Sequence, residues 1–344
     1  MTESARAKIP AVPPHVQLIQ MASAHWVPRL LNVAAQLNLA DHLARGPRTA
    51  DDLAQSTATH APSLYRLMRT LASIGVFTED AAHRFSLTPL GEALKSDAPG
   101  SARATILTLA GGHQMRAADE LLYSVQTGKT GFEKAFGMPI FDWFAKNQDQ
   151  ASLFSETMVG VHGQEPAAVA AAYDFSEFAT VIDVGGATGN LLCAILGQHR
   201  APRGVLFDMP HVVRDAPALI ESRGVADRVA IETGSFFQHV PGGGDAYLLS
   251  HIIHDWSEEQ CLTILGNCRR AMKPTSRLLI VETVIPAGDA PHASKMFDIV
   301  MLVVPGGQER SEAEYRDLLG KAGFRLNRVV PTESVVSVVE AFPA

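Results

Sequence analysis

Residues 180–196 read TVIDVGGATGNLLCAIL, a buried-strand run that passes straight into glycines and then into a helical pattern. A strand feeding a helix through a glycine turn marks the ligand-binding end of an open parallel α/β sheet. A dinucleotide fingerprint GxGxxG would put glycines at 185, 187 and 190, but those positions hold Gly185, Ala187 and Asn190. The turn instead reads Asp183-x-Gly185-x-Ala187-x-Gly189, with an acid ahead of it. A pyrophosphate favours helix N–H groups with no carboxylate close by, so the NAD reading fails. The alternative for the glycines alone is a plain tight strand-to-helix connection.

Further along, Asp208 ends the next strand in GVLFDMPHVV, placed to accept a pair of hydroxyls; taken alone, a surface strand-end acid reads as well. The short β-rich runs VIDV, GVLF, VAIETG, AYLLS and RLLIVET alternate with helical patterns such as NLLCAILGQ and EEQCLTILGNCRRAM. Strands alternating with helices predict a parallel sheet with both faces covered. The tail FRLNRVVPTESVVSVVEAF predicts an antiparallel hairpin at the sheet edge. Residues 173–344 therefore form one α/β domain.

Before that domain the pattern is helical. Residues 1–15 read as a disordered leader. Residues 16–100 read as a small helical unit in which Thr49 caps one helix and Pro62 opens the next. A turn and wing around Asp80 to Phe85 complete a winged-helix arrangement. Residues 101–172 are further helices, read as a linker with pocket-forming helices.

Composition excludes several classes. Apolar residues make up 47% and charged residues 19%, which argues for a packed core. The formal net charge of −7 gives no global positive field for a polyanion, so nucleic acid and acidic membrane are poor partners. Three cysteines, Cys193, Cys261 and Cys268, show no ligand spacing, so neither a disulfide framework nor a metal site is expected. No apolar run approaches the roughly 18–20 residues needed to span a bilayer. A cytoplasmic location follows as the expectation.

The segment LSHIIHDWSEEQ places His251, His254, Asp255 and Trp256 after a buried strand, and Ser257 with Gln260 forms a capping box that starts the following helix. His254 is thus expected in the loop at the strand's C-terminal end. An imidazole of pKa about 6.5 is a suitable base for a phenol or enol of pKa near 10. A carboxylate on its second nitrogen would fix the tautomer. Two acids are candidates: Glu282, ending RLLIVET, and Glu309, in the loop before a helix capped by Ser311 and Glu314. Glu282 could equally bond loop backbone, Glu309 could pair with Arg310 at the surface, and either histidine could be structural.

Taken in order, the winged-helix unit, DVGGATG, FDMPHVV, GSFF, LSHIIHDW, PGGQERSEAEY and AGF resemble the S-adenosylmethionine (SAM) dependent small-molecule O-methyltransferases, the caffeic acid, acetylserotonin and bacterial natural-product type. The resemblance covers nearly the whole chain. It implies a Rossmann-like SAM-binding domain behind an N-terminal winged-helix dimerisation domain, a homodimer, and a substrate pocket between the two parts. It implies methyl transfer to a hydroxyl of a small aromatic, secondary-metabolite acceptor, with S-adenosylhomocysteine as by-product and no metal. Carried over by position, the base falls on His254 and its flanking acids on Glu282 and Glu309. SAM contacts fall on Asp183, Gly185, Gly189, Asp208, Ser235, Phe236, Ser250 and Trp256, and substrate-lining positions on Phe154, Met158 and Met301. Ordinary core packing is the alternative for these last three.

Departures from the family pattern bear on the pocket. Ala187 replaces the usual middle glycine, which is tolerable if its φ stays below zero. Ser235 stands where many members have Asp, Ser250 where plant members have Lys, and Ala118 where bacterial relatives often have Trp. Three other functions fit less of the chain. N-methylation or another SAM-dependent reaction would use the same scaffold. A SAM-binding protein without catalysis would not need His254, Glu282 and Glu309. A winged-helix regulator would read DNA with Pro62–Val76, yet that helix is mostly apolar apart from Arg66 and Arg69.

Overall fold

The computed structural model describes residues 12–344, which divide into two compact units. The first runs to Met115 and includes Asp149–Val161; the second comprises Arg116–Gln148 and His162–Ala344. The helical stretch 101–172 is shared between them. Of the expected leader, residues 1–11 lie outside the described residues, and Pro14 already opens a helix, Pro14–Ser23.

In the first unit, helices Trp26–Gln36, Leu39–Leu43, Ala50–Thr57 and Ala61–Ser73 pack with three short strands, β1 (Arg48–Thr49), β2 (Phe77–Glu79) and β3 (Arg84–Leu87). The strands pair antiparallel in the order β1-β3-β2. Thr49 forms a reciprocal capping box with Asp52, and Pro62 sits in the first turn of its helix, where a missing N–H costs nothing. Asp80 accepts the amide hydrogens of Ala82 and Arg84 and so closes the β2–β3 wing. Leu39, Leu53, Met68, Leu71, Phe77 and Phe85 are the buried centre.

The second unit is built on β4 (Thr180–Val184), β5 (Arg203–Asp208), β6 (Val229–Thr233), β7 (Ala246–Ser250), β8 (Arg277–Glu282), β9 (Val284–Ile285), β10 (Arg310–Ser311), β11 (Phe324–Pro331) and β12 (Ser337–Pro343). Seven of these form one sheet in the order β11-β12-β8-β7-β4-β5-β6, in which β4 to β8 run parallel. Side chains alternate between faces along each strand. Val181, Leu206, Leu248 and Leu279 enter one core, and Ile182, Phe207, Tyr247 and Ile280 enter the other. Both faces are thereby covered, as the near-continuous apolar runs required.

The β11–β12 hairpin joins antiparallel, with β12 inserted between β8 and β11. Glu340 of β12 is buried and is held by the Tyr173 hydroxyl, Asn327 and Arg328, which fixes the hairpin to the segment leading into β4. A separate parallel pair, β9 with β10, brings residue 309 beside the end of β8. The architecture is an α/β Rossmann-like domain that follows a small helical winged unit in the chain.

Candidate active site

The turn after β4 is built from alternating left-handed residues: Gly185 at φ +75°, Ala187 at +50° and Gly189 at +79°. Ala187 is therefore not below zero, contrary to the condition stated above for its tolerance. The cause lies in its amide, which donates to Asp208 Oδ2 at 3.0 Å, a charge-assisted bond that holds the strained conformation. Asp208 also accepts the Met209 N–H at 2.7 Å. Its pKa is raised, because burial outweighs those two bonds.

Asp183 lies beneath this turn, 1% exposed, and among the described residues neither carboxylate oxygen has a hydrogen-bond partner. Burial, with Asp208 nearby, pushes its pKa up to about 7. Glycine is required above it: a Cβ at Gly186 would lie 2.4 Å from the Asp183 carboxyl carbon, and one at Gly185 would lie 2.5 Å from Ile252 Cδ1. Around the turn, Phe236 and Phe237 pack edge-on against Trp256 at 6.1 and 4.9 Å between ring centroids. Ser235 Oγ accepts the Phe237 amide, and Ser250 ends β7 opposite Val281 of β8. The donor set fits SAM. Asp208 retains lone pairs for two hydroxyls, Asp183 offers an uncommitted carboxylate, and the glycines let backbone approach closely.

His254 lies past the end of β7, in a single 3₁₀ turn, Ile253–Asp255, rather than in an irregular loop. The side chain is 8% exposed. Its Nδ1 donates to Glu309 Oε1 at 2.7 Å, and Glu309 is 1% exposed, not a surface partner of Arg310. Glu282, 0% exposed, touches backbone rather than ring. Its Oε1 accepts the N–H groups of Ile252 and His254 at 3.1 Å each, while Oε2 accepts the Tyr315 hydroxyl. Asp255 Oδ1 stands 3.7 Å from His254 Nε2. Arg310 and Cys261 both bond the Ile253 carbonyl, which locks the turn from the other side. Burial works against charge on His254, but Asp255, Glu309 and Glu282 outweigh it and push the pKa up to about 10. The ordinary value of about 6.5 therefore does not apply to this ring.

Models of known families match most of the chain: an O-methyltransferase domain over residues 119–325 and an O-methyltransferase dimerisation domain over residues 19–97. The chain belongs to this O-methyltransferase family. It is 46% identical to a phenazine O-methyltransferase of Lysobacter antibioticus over 100% of both chains. It is 40% identical to a mitomycin biosynthesis 6-O-methyltransferase of Streptomyces lavendulae, covering 89% of this chain and 88% of that one. The crystal structure of an O-methyltransferase from neocarzinostatin biosynthesis, in complex with SAM and 2-hydroxy-5-methyl naphthoic acid, superposes with a TM-score of 0.83. That pair is 32% identical, covering 92% of this chain and 96% of the other. The protein is a SAM-dependent O-methyltransferase with its dimerisation domain at residues 19–97.

In this O-methyltransferase, the residues drawn from sequence fall into two groups. Asp183, Gly185, Gly189 and Asp208 meet at the β4 turn, with Phe236 and Trp256 packed nearby; His254, Glu282 and Glu309 meet beyond β7 and β8. Phe154 and Met158 lie on helix Gln148–His162 of the first unit, and Met301 is buried on helix Ala293–Val303 of the second. Sequence reasoning named Asp255 but gave it no role beside the His254 ring, and it missed Tyr315 on Glu282 and Gly307 against the His254 carbonyl. It also missed the pairing of His251 with Glu165, 86 residues apart in sequence. The HxxH spacing of 251 and 254 was visible; nothing local pointed to Glu165. Among the described residues, no cluster of His, Cys, Asp and Glu could hold a metal ion, and no helix is long and apolar enough to cross a membrane.

Proposed function

We propose that this enzyme methylates a hydroxyl of a small aromatic secondary metabolite, with His254 as the general base. The observation that carries this reading is the buried Nδ1–Glu309 bond of 2.7 Å, which leaves Nε2 as the proton-accepting nitrogen. When bound, SAM supplies an electrophilic methyl carbon on a positively charged sulfur. Asp208 and Asp183 would hold it with Gly185, Gly189, Ser235, Phe236, Ser250 and Trp256 around it. His254 takes the hydroxyl proton at Nε2, and Glu309 steadies the imidazolium that results. Glu282 acts on backbone, holding the turn that presents the ring. His254 must be neutral to take that proton, and the carboxylates of Asp255, Glu309 and Glu282 around it strengthen its hold on the proton once taken.

The acceptor class follows the phenazine, mitomycin and naphthoate chemistry in the relatives' names. Met301, and within their own unit Phe154 and Met158, are the proposed acceptor-side positions; methionine adapts to flat rings of varied shape. The enzyme works as a homodimer, and we place it in the cytoplasm. The test is incubation with methyl-deuterated SAM and a panel of hydroxylated phenazines and naphthoates, read by product mass. Transfer to an oxygen by the intact enzyme, and His254→Ala turnover lower by roughly 10²–10⁴ with SAM affinity unchanged, is the expected result. Methyl transfer only to amines, or loss of SAM binding in His254→Ala, would overturn the assignment.

A further inference from the structure

Arg310 stands in β10, whose pairing with β9 places its backbone opposite Val284, just past Glu282. The side chain belongs to the buried interior, 4% exposed. Its Nη1 donates to two main-chain carbonyls, Ile253 at 3.2 Å and Gln308 at 3.0 Å. Nη2 donates to Cys261 Sγ at 3.7 Å, and that thiol in turn donates to the carbonyls of Ile253 and Trp256 at 3.2 and 3.3 Å. Among the described residues, no carboxylate stands within ion-pair distance of the guanidinium. Burying a cation without a countercharge destabilises a fold, so these bonds are what hold it there.

The two carbonyls belong to the residues immediately before His254 and Glu309. One nitrogen therefore joins the turn that carries the ring to the loop that carries its carboxylate. Side-chain contacts do little to fix the pair. Glu309 Oε1 bonds the ring, while Oε2 is buried and has no hydrogen-bond partner among the described residues. The ring has Glu309 at Nδ1 and Asp255 3.7 Å from Nε2. Their mutual geometry thus rests on the main chain. Glu282 grips the turn by the amides of Ile252 and His254, Asp298 accepts the Glu309 amide, and Arg310 takes the carbonyls. Carboxylates hold the N–H groups from one side, and a guanidinium holds the C=O groups from the other.

We propose, on the footing that His254 is the base and Glu309 its partner, that Arg310 is a positioning residue: by bridging the carbonyls of Ile253 and Gln308 it sets the Nδ1–Glu309 bond and so the direction in which Nε2 meets the acceptor. A planar guanidinium presents its N–H groups in a fixed fork, which a lysine ammonium does not. In Arg310→Lys the charge is kept, but its nitrogen falls at the place of the guanidinium carbon, one bond short of Nη1. A displacement on the order of 1 Å at a reacting group can cost about 10²-fold in rate. Arg310 works through the ring and needs no contact with the acceptor.

The experiment reads the His254 Nδ1 proton directly. Held between an imidazole and a carboxylate, this proton gives an NMR signal far downfield of the amides, and it is present whether Nε2 is bare or protonated. In protein labelled with ¹⁵N-histidine the signal is assigned by its loss in His254→Ala. Arg310→Lys should weaken or erase it and lower kcat by about 10- to 100-fold, while affinity for S-adenosylhomocysteine, measured by calorimetry, stays within about twofold of wild type. Arg310→Gln, neutral and shorter, should do the same and serves if Arg310→Lys does not fold. A wild-type signal in a folded Arg310 variant, whatever its kcat, would overturn the proposal. So would a loss of S-adenosylhomocysteine affinity as large as the loss of kcat, or failure of both variants to fold, since either makes Arg310 part of the general framework. Turnover that survives in His254→Ala, with the signal lost in Arg310→Lys, would instead overturn His254 as the base and leave the bridge standing.

Discussion

Gly307 packs against the main chain of His254 so closely that a Cβ added to it would lie 1.8 Å from the His254 carbonyl oxygen. That oxygen accepts the Gln308 amide at 2.8 Å, so the loop carrying Glu309 is laid directly on the turn carrying His254. The atom in the way is backbone, which has no rotamer to yield. Gly307→Ala should therefore destabilise the fold by about 3 kcal/mol or more, read from urea unfolding, and should separate His254 from Glu309. Wild-type stability in this variant would mean that the loop adjusts freely.

Ala187 presents the opposite case, a side chain where glycine would fit better. Left-handed backbone costs a non-glycine residue roughly 1–2 kcal/mol, while glycine gives back about 0.5–1 kcal/mol through chain entropy. Ala187→Gly should keep the amide bond to Asp208 and raise stability by about 0.5–1 kcal/mol. A urea midpoint that falls would show that the alanine methyl contributes packing that outweighs its backbone cost.

Asp183 predicts a pH-dependent stability. Its folded-state pKa of about 7 exceeds the ordinary carboxylate value of 3.8, so the folded protein retains a proton that the unfolded chain releases. The contribution is present below about pH 4 and is lost as pH rises through 7. Asp183→Asn has no proton to lose. Measured from pH 5 to pH 8, wild-type stability should decline relative to this variant by an amount on the order of 2–4 kcal/mol. Parallel stability curves would place the carboxylate in contact with a charge partner.

For His254, stability and activity should run in opposite directions. With its pKa raised from 6.5 to about 10, the ring stabilises the fold below about pH 6.5, and this contribution fades as pH rises through 10. Turnover needs the neutral ring and should climb across the same window. Glu309→Gln removes one of the raising carboxylates, so the acid limb should move down in pH while turnover drops about tenfold or more. An unmoved limb in the pH–rate profile would detach Glu309 from the base.

Much of this was legible because the relevant signals are local. The strand, the glycines and Asp183 lie within ten residues, and alternation of β-rich and helical runs announced a parallel sheet. The capping boxes at Ser257 and Ser311 marked where each helix begins and left His254 and Glu309 ahead of them. What stayed hidden depends on three dimensions. The backbone angle of Ala187 is set by Asp208, and the work of Glu282 on amides rather than ring is set by the path of residues 252–254. The Glu165–His251 pair joins a helix to a strand end through tertiary packing alone.

The placement of β12 between β8 and β11 bears on how the molecule is made. Until residues 337–343 have left the ribosome, β8 presents an unpaired apolar edge, and β11 has no neighbour to join. A nascent chain carrying the whole catalytic turn therefore still has an incomplete sheet, open to mispairing and to chaperones, and the sheet is completed only when β12, the last of the described strands in chain order, is available.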